Sequence, residues 1–358
     1  MSVGTHAIDI RTSPHIKGRV TTDTIMLNVV YALLPVTAFA VFVFGLSAFL
    51  LVIVTTGTCV LTEHVLCKLA RKPSTVSDYS AVITGLLLAL TLPPGFPLWM
   101  AIVGSVISIG LGKALFGGLG MNPFNPALVG RAFLQAAFPV AITTWTPAFW
   151  PEMQIWSTER FTSIVLPTVS LPFMRPESVA SFIKGITIDG FSGATPLSRM
   201  KFDHESTSIM DLFVGMTAGS TGETSSALII LGGLYLMARK MMNWRIPVAI
   251  LGSATVVSGI FYALNSEIYP TPLFVLFSGG LMLGAMFMAS DMVGSPTTPL
   301  GVWIYGILIG SVTVVIRLKG GLPEGTMYAI LLGNACTPLI DNLTQPKIFG
   351  ARKKGEGK

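Results

Sequence analysis

Pro97-Leu98-Trp99-Met100-Ala101-Ile102-Val103-Gly104 and Pro299-Leu300-Gly301-Val302-Trp303-Ile304-Tyr305-Gly306 open two apolar stretches in nearly the same words. A second echo follows each: Phe116-Gly117-Gly118-Leu119 after the first, Lys319-Gly320-Gly321-Leu322 after the second. An internal repeat written in apolar segments points to a membrane protein built from two related halves. The composition agrees. The 358 residues are 51% hydrophobic and 11% charged, with mean hydropathy +0.71. Soluble domains are nearer one quarter charged.

About 20 mostly apolar residues cross a bilayer. Ten candidate spans emerge, at 24–45, 46–69, 80–92, 98–115, 125–140, 224–241, 247–264, 272–289, 300–317 and 327–343. The third stops at Pro93-Pro94, and Gly/Pro-rich Gly117–Pro123 precedes the fifth. The expected fold is therefore an all-α polytopic membrane protein of about ten transmembrane helices. Five spans per half is odd, so the second half enters from the opposite face, giving two inverted five-helix repeats. The division is a 1–23 N-terminal segment, a 24–141 first repeat, a 142–210 polar loop, a 211–345 second repeat and a 346–358 basic tail. Functional groups are expected at the short or broken spans: the third and fifth, with the eighth and tenth as their partners.

Lysine and arginine set orientation. Lys17 and Arg19 precede span one, Lys68, Arg71 and Lys72 follow span two, and Arg239, Lys240 and Arg245 follow span six. With the basic tail, these place both termini in the cytoplasm and the long 142–210 loop in the periplasm; Arg317 and Lys319 are mild exceptions. The net charge of +6 is absorbed by these clusters and implies lipid rather than nucleic acid as partner. The first apolar run comes late and is followed at once by a second, unlike a cleaved signal peptide. Cys59, Cys67 and Cys336 form no CxxC or Cys/His pattern, so no zinc or iron–sulfur site is expected. Trp145, Trp150 and Trp156 read as interfacial anchors. The four histidines suggest no metal site.

Asp189-Gly190-Phe191-Ser192-Gly193-Ala194-Thr195 lies in the long polar loop. Gly190 and Gly193 allow unusual backbone angles, and small Ser192 and Ala194 leave the Thr195 hydroxyl uncrowded. Pro196 biases Thr195 to an extended conformation. Lys184, Arg199 and Lys201 lie close enough in sequence to offset a phosphate. The competing reading is an ordinary Gly/Ser turn. The stretch resembles the attachment motif read by bacterial flavin transferases. From about Thr22 to the tail, the chain resembles the D-type subunit of Rnf electron-transport complexes, a relative of the B-type subunit of the sodium-pumping NADH:quinone reductase. Two further motifs carry the resemblance: Met121-Asn122-Pro123-Phe124-Asn125-Pro126-Ala127-Leu128-Val129-Gly130-Arg131-Ala132-Phe133 and Gly219-Ser220-Thr221-Gly222-Glu223-Thr224. The short polar stretch before the first span favours the Rnf subunit.

The resemblance implies FMN joined to Thr195 by a phosphoester, with Asp189, Gly190, Ser192, Gly193 and Ala194 as the motif a separate transferase reads. It implies a second, non-covalent riboflavin near Asn122 and Asn125; the alternative is that both asparagines cap the fifth helix. Acids inside membranes are functional suspects. By the same resemblance, Glu63, Asp291 and Asp341 would match acids of the quinone-reductase subunit implicated in cation passage, and helix-end solvation is the plainer alternative for the last two. Glu223 also stands at a span end, and Arg131 calls for a phosphate, a carbonyl or an acid as partner. The chain offers no dinucleotide fingerprint or cluster ligands. The expected role is thus one subunit of a larger inner-membrane complex that couples electron transfer to Na⁺ or H⁺ movement. The rival is a flavin-free secondary transporter with its substrate at the broken helices.

Overall fold

The computed structural model describes residues 21–143, 145, 168, 195–203, 205–215, 217–223 and 225–346. Among them there are helices and no strands, and each of the ten apolar segments is helical. The principal helices are α1 (Thr22–Phe44), α2 (Leu46–Leu69), α3 (Ser80–Thr91), α4 (Leu98–Gly110) and α5 (Pro126–Ala137) in the first half. The second half supplies α6 (Ser226–Ala238), α7 (Arg245–Leu264), α8 (Pro272–Phe277), α9 (Pro299–Lys319) and α10 (Thr326–Thr344). Five segments are long and apolar enough to cross a membrane: Thr22–Phe44, Leu46–Leu69, Leu98–Phe116, Arg245–Leu264 and Pro299–Lys319. The chain is a polytopic membrane protein.

Helix starts follow local chemistry. Asn125, Thr271 and Thr298 each accept a hydrogen bond from a first-turn N–H, and each precedes a proline at the first helical position. A side-chain oxygen there replaces one missing backbone partner, and proline lacks the N–H that would go unpaired. Gly45, at φ 72°, turns the chain between α1 and α2 without a loop.

The two halves pack in the same pattern. α2 lies against α3 and α4, and α4 against α5; α7 lies against α8 and α9, and α9 against α10. α1 with α6, and α5 with α10, join the halves. Tyr235 on α6 donates to Asn28 on α1 at 2.6 Å. Gly130 on α5 and Gly310 on α9 sit where backbones nearly touch. A side chain at Gly130 would meet Gly104 O at 2.7 Å, and one at Gly310 would meet Ile250 O at 2.3 Å. Rows of large apolar side chains, among them Tyr31, Leu34 and Phe42 on α1 and Val256 and Ile260 on α7, remain exposed as a lipid-facing surface.

The expected breaks are only partly those found. α3 is short because Pro93-Pro94 ends it. Its orphaned carbonyls are taken by the segment before α6: Thr221 N donates to Leu92 O at 3.0 Å, Thr221 Oγ1 to the same oxygen at 2.7 Å and Gly222 N to Leu90 O at 2.6 Å. Without water at that depth, such pairing is what lets a helix stop inside a membrane. The eighth span is divided: α8 ends at Phe277, and Ser278-Gly279-Gly280 leads into Leu281–Leu283 and a π turn over Gly284–Met288. Gly279 has φ 64°. The tenth segment is not broken; α10 runs through Pro338. α5 ends at Ala137, earlier than expected, and Pro139–Ile142 is a separate turn.

Candidate functional site

Three groups of polar side chains gather in this apolar bundle. The first surrounds Thr195. This residue is extended (φ −66°, ψ 157°), as a residue before proline tends to be, and caps the short turn Pro196–Ser198. Its Oγ1 accepts from Ser198 N at 3.2 Å and donates to Ser198 Oγ at 3.3 Å. Thr195, with a hydroxyl expected to stand uncrowded, is 5% exposed as a residue. Asp189, Gly190, Ser192, Gly193 and Ala194 lie outside the described residues, as does Lys184. Lys201 Nζ donates to Gly320 O at 2.6 Å and Leu322 O at 2.8 Å, tying this segment to the loop between α9 and α10. Burial pulls the Lys201 ammonium below its ordinary range.

The second group is a four-charge cluster next to it. Arg131 Nη2 on α5 donates to Glu324 Oε2 at 3.0 Å, and Arg317 Nη2 on α9 lies 4.0 Å from Glu324 Oε1. Gly280 N also donates to Glu324 Oε1, at 2.7 Å, and Arg317 Nη1 donates to Val275 O, also at 2.7 Å. Glu223 completes the set: an added side chain on Gly280 would meet Glu324 Oε1 at 2.7 Å and Glu223 Oε1 at 3.8 Å. The break in the eighth span therefore makes room for these charges. A side chain on Gly279 would strike Leu197 at 2.5 Å and Arg317 Nη2 at 2.9 Å, so the Thr195 segment abuts the cluster. Burial and the Glu324 charge push the Glu223 carboxyl up to about 7. Burial works against ionised Glu324 too, but Arg131 and Arg317 prevail and hold its carboxyl below the usual range. The two guanidiniums thus favour the charge on Glu324, while burial and that charge work against ionising Glu223.

The third group lies where α1, α3 and α5 begin and α6 ends. It surrounds a partly open cavity lined by Asn122, Asn125, Asp291, Lys113 and Ser80 among apolar side chains. Asn125 behaves as a cap, with both amide atoms used: Oδ1 accepts from Ala127 N at 3.0 Å and Nδ2 donates to Met288 O at 3.1 Å. Asn122 differs. Its Nδ2 donates to Phe124 O at 3.1 Å, while its buried Oδ1 has no partner. Asp291 accepts from Val293 N at 3.3 Å and bonds Asn122, and burial pushes its carboxyl up. Lys113 Nζ donates to Glu63 Oε1 at 2.6 Å and to Ser80 Oγ; Thr75 Oγ1 also donates to Glu63 Oε1.

Of the three expected ion-path acids, Asp291 lines the cavity, and Glu63 stands behind the wall, paired with cavity-lining Lys113. Asp341 is apart, accepting from Thr297 N at 3.1 Å near the end of α10. Sequence reasoning missed Lys113 and Glu324 and read Arg317 only as a topological exception. Lys113 and Arg317 each fell inside an expected span, which was a usable signal. Glu324, in a glycine-rich loop, had none. Among the described residues no group of His, Cys, Asp and Glu is arranged to hold a metal ion.

These features define a polytopic α-helical membrane protein with buried charges gathered at its broken helices and a polar-rimmed cavity at one end. The chain belongs to the NQR2, RnfD, RnfE family, whose model matches residues 9–350. It is 39% identical over 354 residues to the D-type subunit of the proton-translocating ferredoxin:NAD(+) oxidoreductase complex of Clostridium ljungdahlii, covering 96% of each chain. It is 40% identical over 350 residues to the Na(+)-translocating counterpart of Acetobacterium woodii, covering 97% of this chain and 96% of that one. The D-type subunit of an ion-translocating oxidoreductase complex of Stutzerimonas stutzeri is 38% identical over 94% of this chain and 95% of its own.

Proposed function

We propose that this chain is the D-type membrane subunit of a bacterial ion-translocating ferredoxin:NAD⁺ oxidoreductase complex, holding FMN on Thr195 and a second, non-covalent flavin in the cavity. The full-length similarity to subunits named for that activity carries the reading. Other subunits of the complex supply electron entry and exit, and a flavin transferase installs the FMN.

Helix ends support the arrangement. The cavity lies at the end of the bundle where exposed Arg71, Lys72, Arg239 and Lys240 cluster. Thr195 lies at the other end, with the α9–α10 loop. By the positive-inside rule the cavity end is cytoplasmic, with both termini, and Thr195 is periplasmic, in the inner membrane. The matching packing of the halves, and the meeting of α3 with the segment before α6, fit ten segments in two inverted repeats.

The cavity residues suit a flavin. Asn122 Oδ1 is an acceptor lacking a donor, and Lys113 is a cation at the cavity wall. Flavin, when bound, takes up and passes on electrons; the chain positions it, excludes water with apolar walls and offsets its charge. Near Thr195, Arg199 and Lys201 supply positive charge for a phosphate. Glu63, Asp291 and Asp341 would serve the passing cation, carboxylates being suited to Na⁺ or protons.

The test is a denaturing gel viewed under ultraviolet light, with protein made alongside the transferase. The band should fluoresce, and Thr195→Ala should be dark yet still insert in the membrane. A dark wild-type band would instead favour a flavin-free transporter.

A further inference from the structure

Glu63 is half-coordinated. Its Oε1 takes the Lys113 ammonium and the Thr75 hydroxyl, while Oε2 is buried and has no partner. The residue is 3% exposed, so bulk solvent does not reach this oxygen. A buried carboxylate oxygen without a donor is costly to keep, and it marks a place where a cation would be held. Lys113 connects this oxygen pair to the cavity. Lys113 and Ser80 line the cavity wall, whereas Glu63 stands behind them on α2. The other charged group on that wall is Asp291. Lys113 follows the end of α4, and its flexible four-carbon stem lets the ammonium turn either way. Lys113 Nζ is held by Glu63 and Ser80, and the other polar groups nearby are engaged elsewhere: Asp78 by Ser80, His64 with Ser74 at 3.5 Å, and Cys59 with Ser105 O at 3.9 Å.

We propose that Lys113 is a charge lever between the cavity and Glu63: a negative charge arriving in the cavity draws the ammonium from Glu63, and the released carboxylate binds one monovalent cation, a proton or an alkali ion. The balance is one for one. A redox group held in the cavity would gain one negative charge with each electron delivered by another subunit of the complex; Lys113 neutralises that charge, and Glu63 takes one positive charge in exchange. When the electron leaves, Lys113 returns and expels the cation. The inference rests on the reading that the cavity holds a redox group. Lys113 acts here as a positioning residue.

The experiment uses the full-length chain in lipid nanodiscs carrying Thr195→Ala, so that any flavin released on denaturation is non-covalent. That flavin is first quantified by chromatography, and its midpoint potential is then measured against pH at fixed Na⁺ and against Na⁺ at fixed pH. The starting protein should show a potential that rises with Na⁺ concentration, or with proton concentration more steeply than that of free flavin, whichever is the bound cation. Glu63→Gln should retain flavin and lose that dependence. Lys113→Met should also lose it and shift the potential negative, while Lys113→Arg should restore both. Flavin present with a cation dependence unchanged in Glu63→Gln and Lys113→Met overturns the lever alone. No released flavin from folded protein, judged by gel filtration, overturns the cavity reading and the lever with it.

Discussion

Arg131 and Glu324 stand 193 positions apart in the chain and 3.0 Å apart in the fold. Their value is mainly in not being separated. Burying ions is expensive, so an intact pair adds little, but removing one partner strands the other and costs about 3–5 kcal/mol. Arg131→Met should therefore lower the unfolding midpoint markedly, whereas a doubly apolar Arg131→Met/Glu324→Leu protein should recover part of the loss; thermal unfolding in detergent measures both. Glu223 sets a pH dependence. Its folded carboxyl, raised to about 7 from an ordinary 4.5, binds a proton more tightly than the unfolded chain does. Its contribution to stability is therefore fully present below about 4.5 and is lost as pH rises through about 7. Glu223→Gln should flatten the fall in stability over that interval, read from unfolding midpoints across pH. The asparagines should separate. Asn125→Ala removes a cap and a bond to Met288 O, costing about 1–2 kcal/mol of stability. Asn122→Ala should leave folding nearly intact and weaken retention of non-covalent flavin by about tenfold, the equivalent of one hydrogen bond of about 1.4 kcal/mol.

At the level of elements, helix spacing is set by glycine. On α9, Gly310 faces Ile250 O closely enough that a single added carbon would overlap it, while Gly252 on α7 has open space around it. Gly310→Ala should push α7 and α9 apart and lower the unfolding midpoint; Gly252→Ala should not, because it only trades glycine's backbone freedom for a better helix former. The interrupted eighth span follows the same logic in reverse. Gly279 takes a left-handed conformation so that Gly280 N can face Glu324, and any side chain there would strike Arg317 and Leu197.

Over the whole molecule, the two candidate flavin sites lie at opposite ends of the helix bundle, with the charged cluster on α5 and α9 between the cavity and the Thr195 segment. In a background lacking Cys59, Cys67 and Cys336, a membrane-impermeant maleimide should label Lys72→Cys from the cytoplasmic side and Glu267→Cys from the other, in intact cells against inverted vesicles. Both positions are exposed. Much of this was legible without coordinates. Apolar run length placed the ten helical segments, because a bilayer demands a minimum stretch of greasy backbone, and Pro93-Pro94 announced the short third helix. The proposed attachment motif ending at Thr195 rests on the sequence, since Asp189 to Ala194 lie outside the described residues. What the linear order could not reveal was pairing. Whether Lys113 meets Glu63, whether Arg131 finds Glu324, and which asparagine keeps an idle oxygen depend on how helices from both halves cross, and a charge buried in an apolar bundle is defined by the partner that packing brings to it.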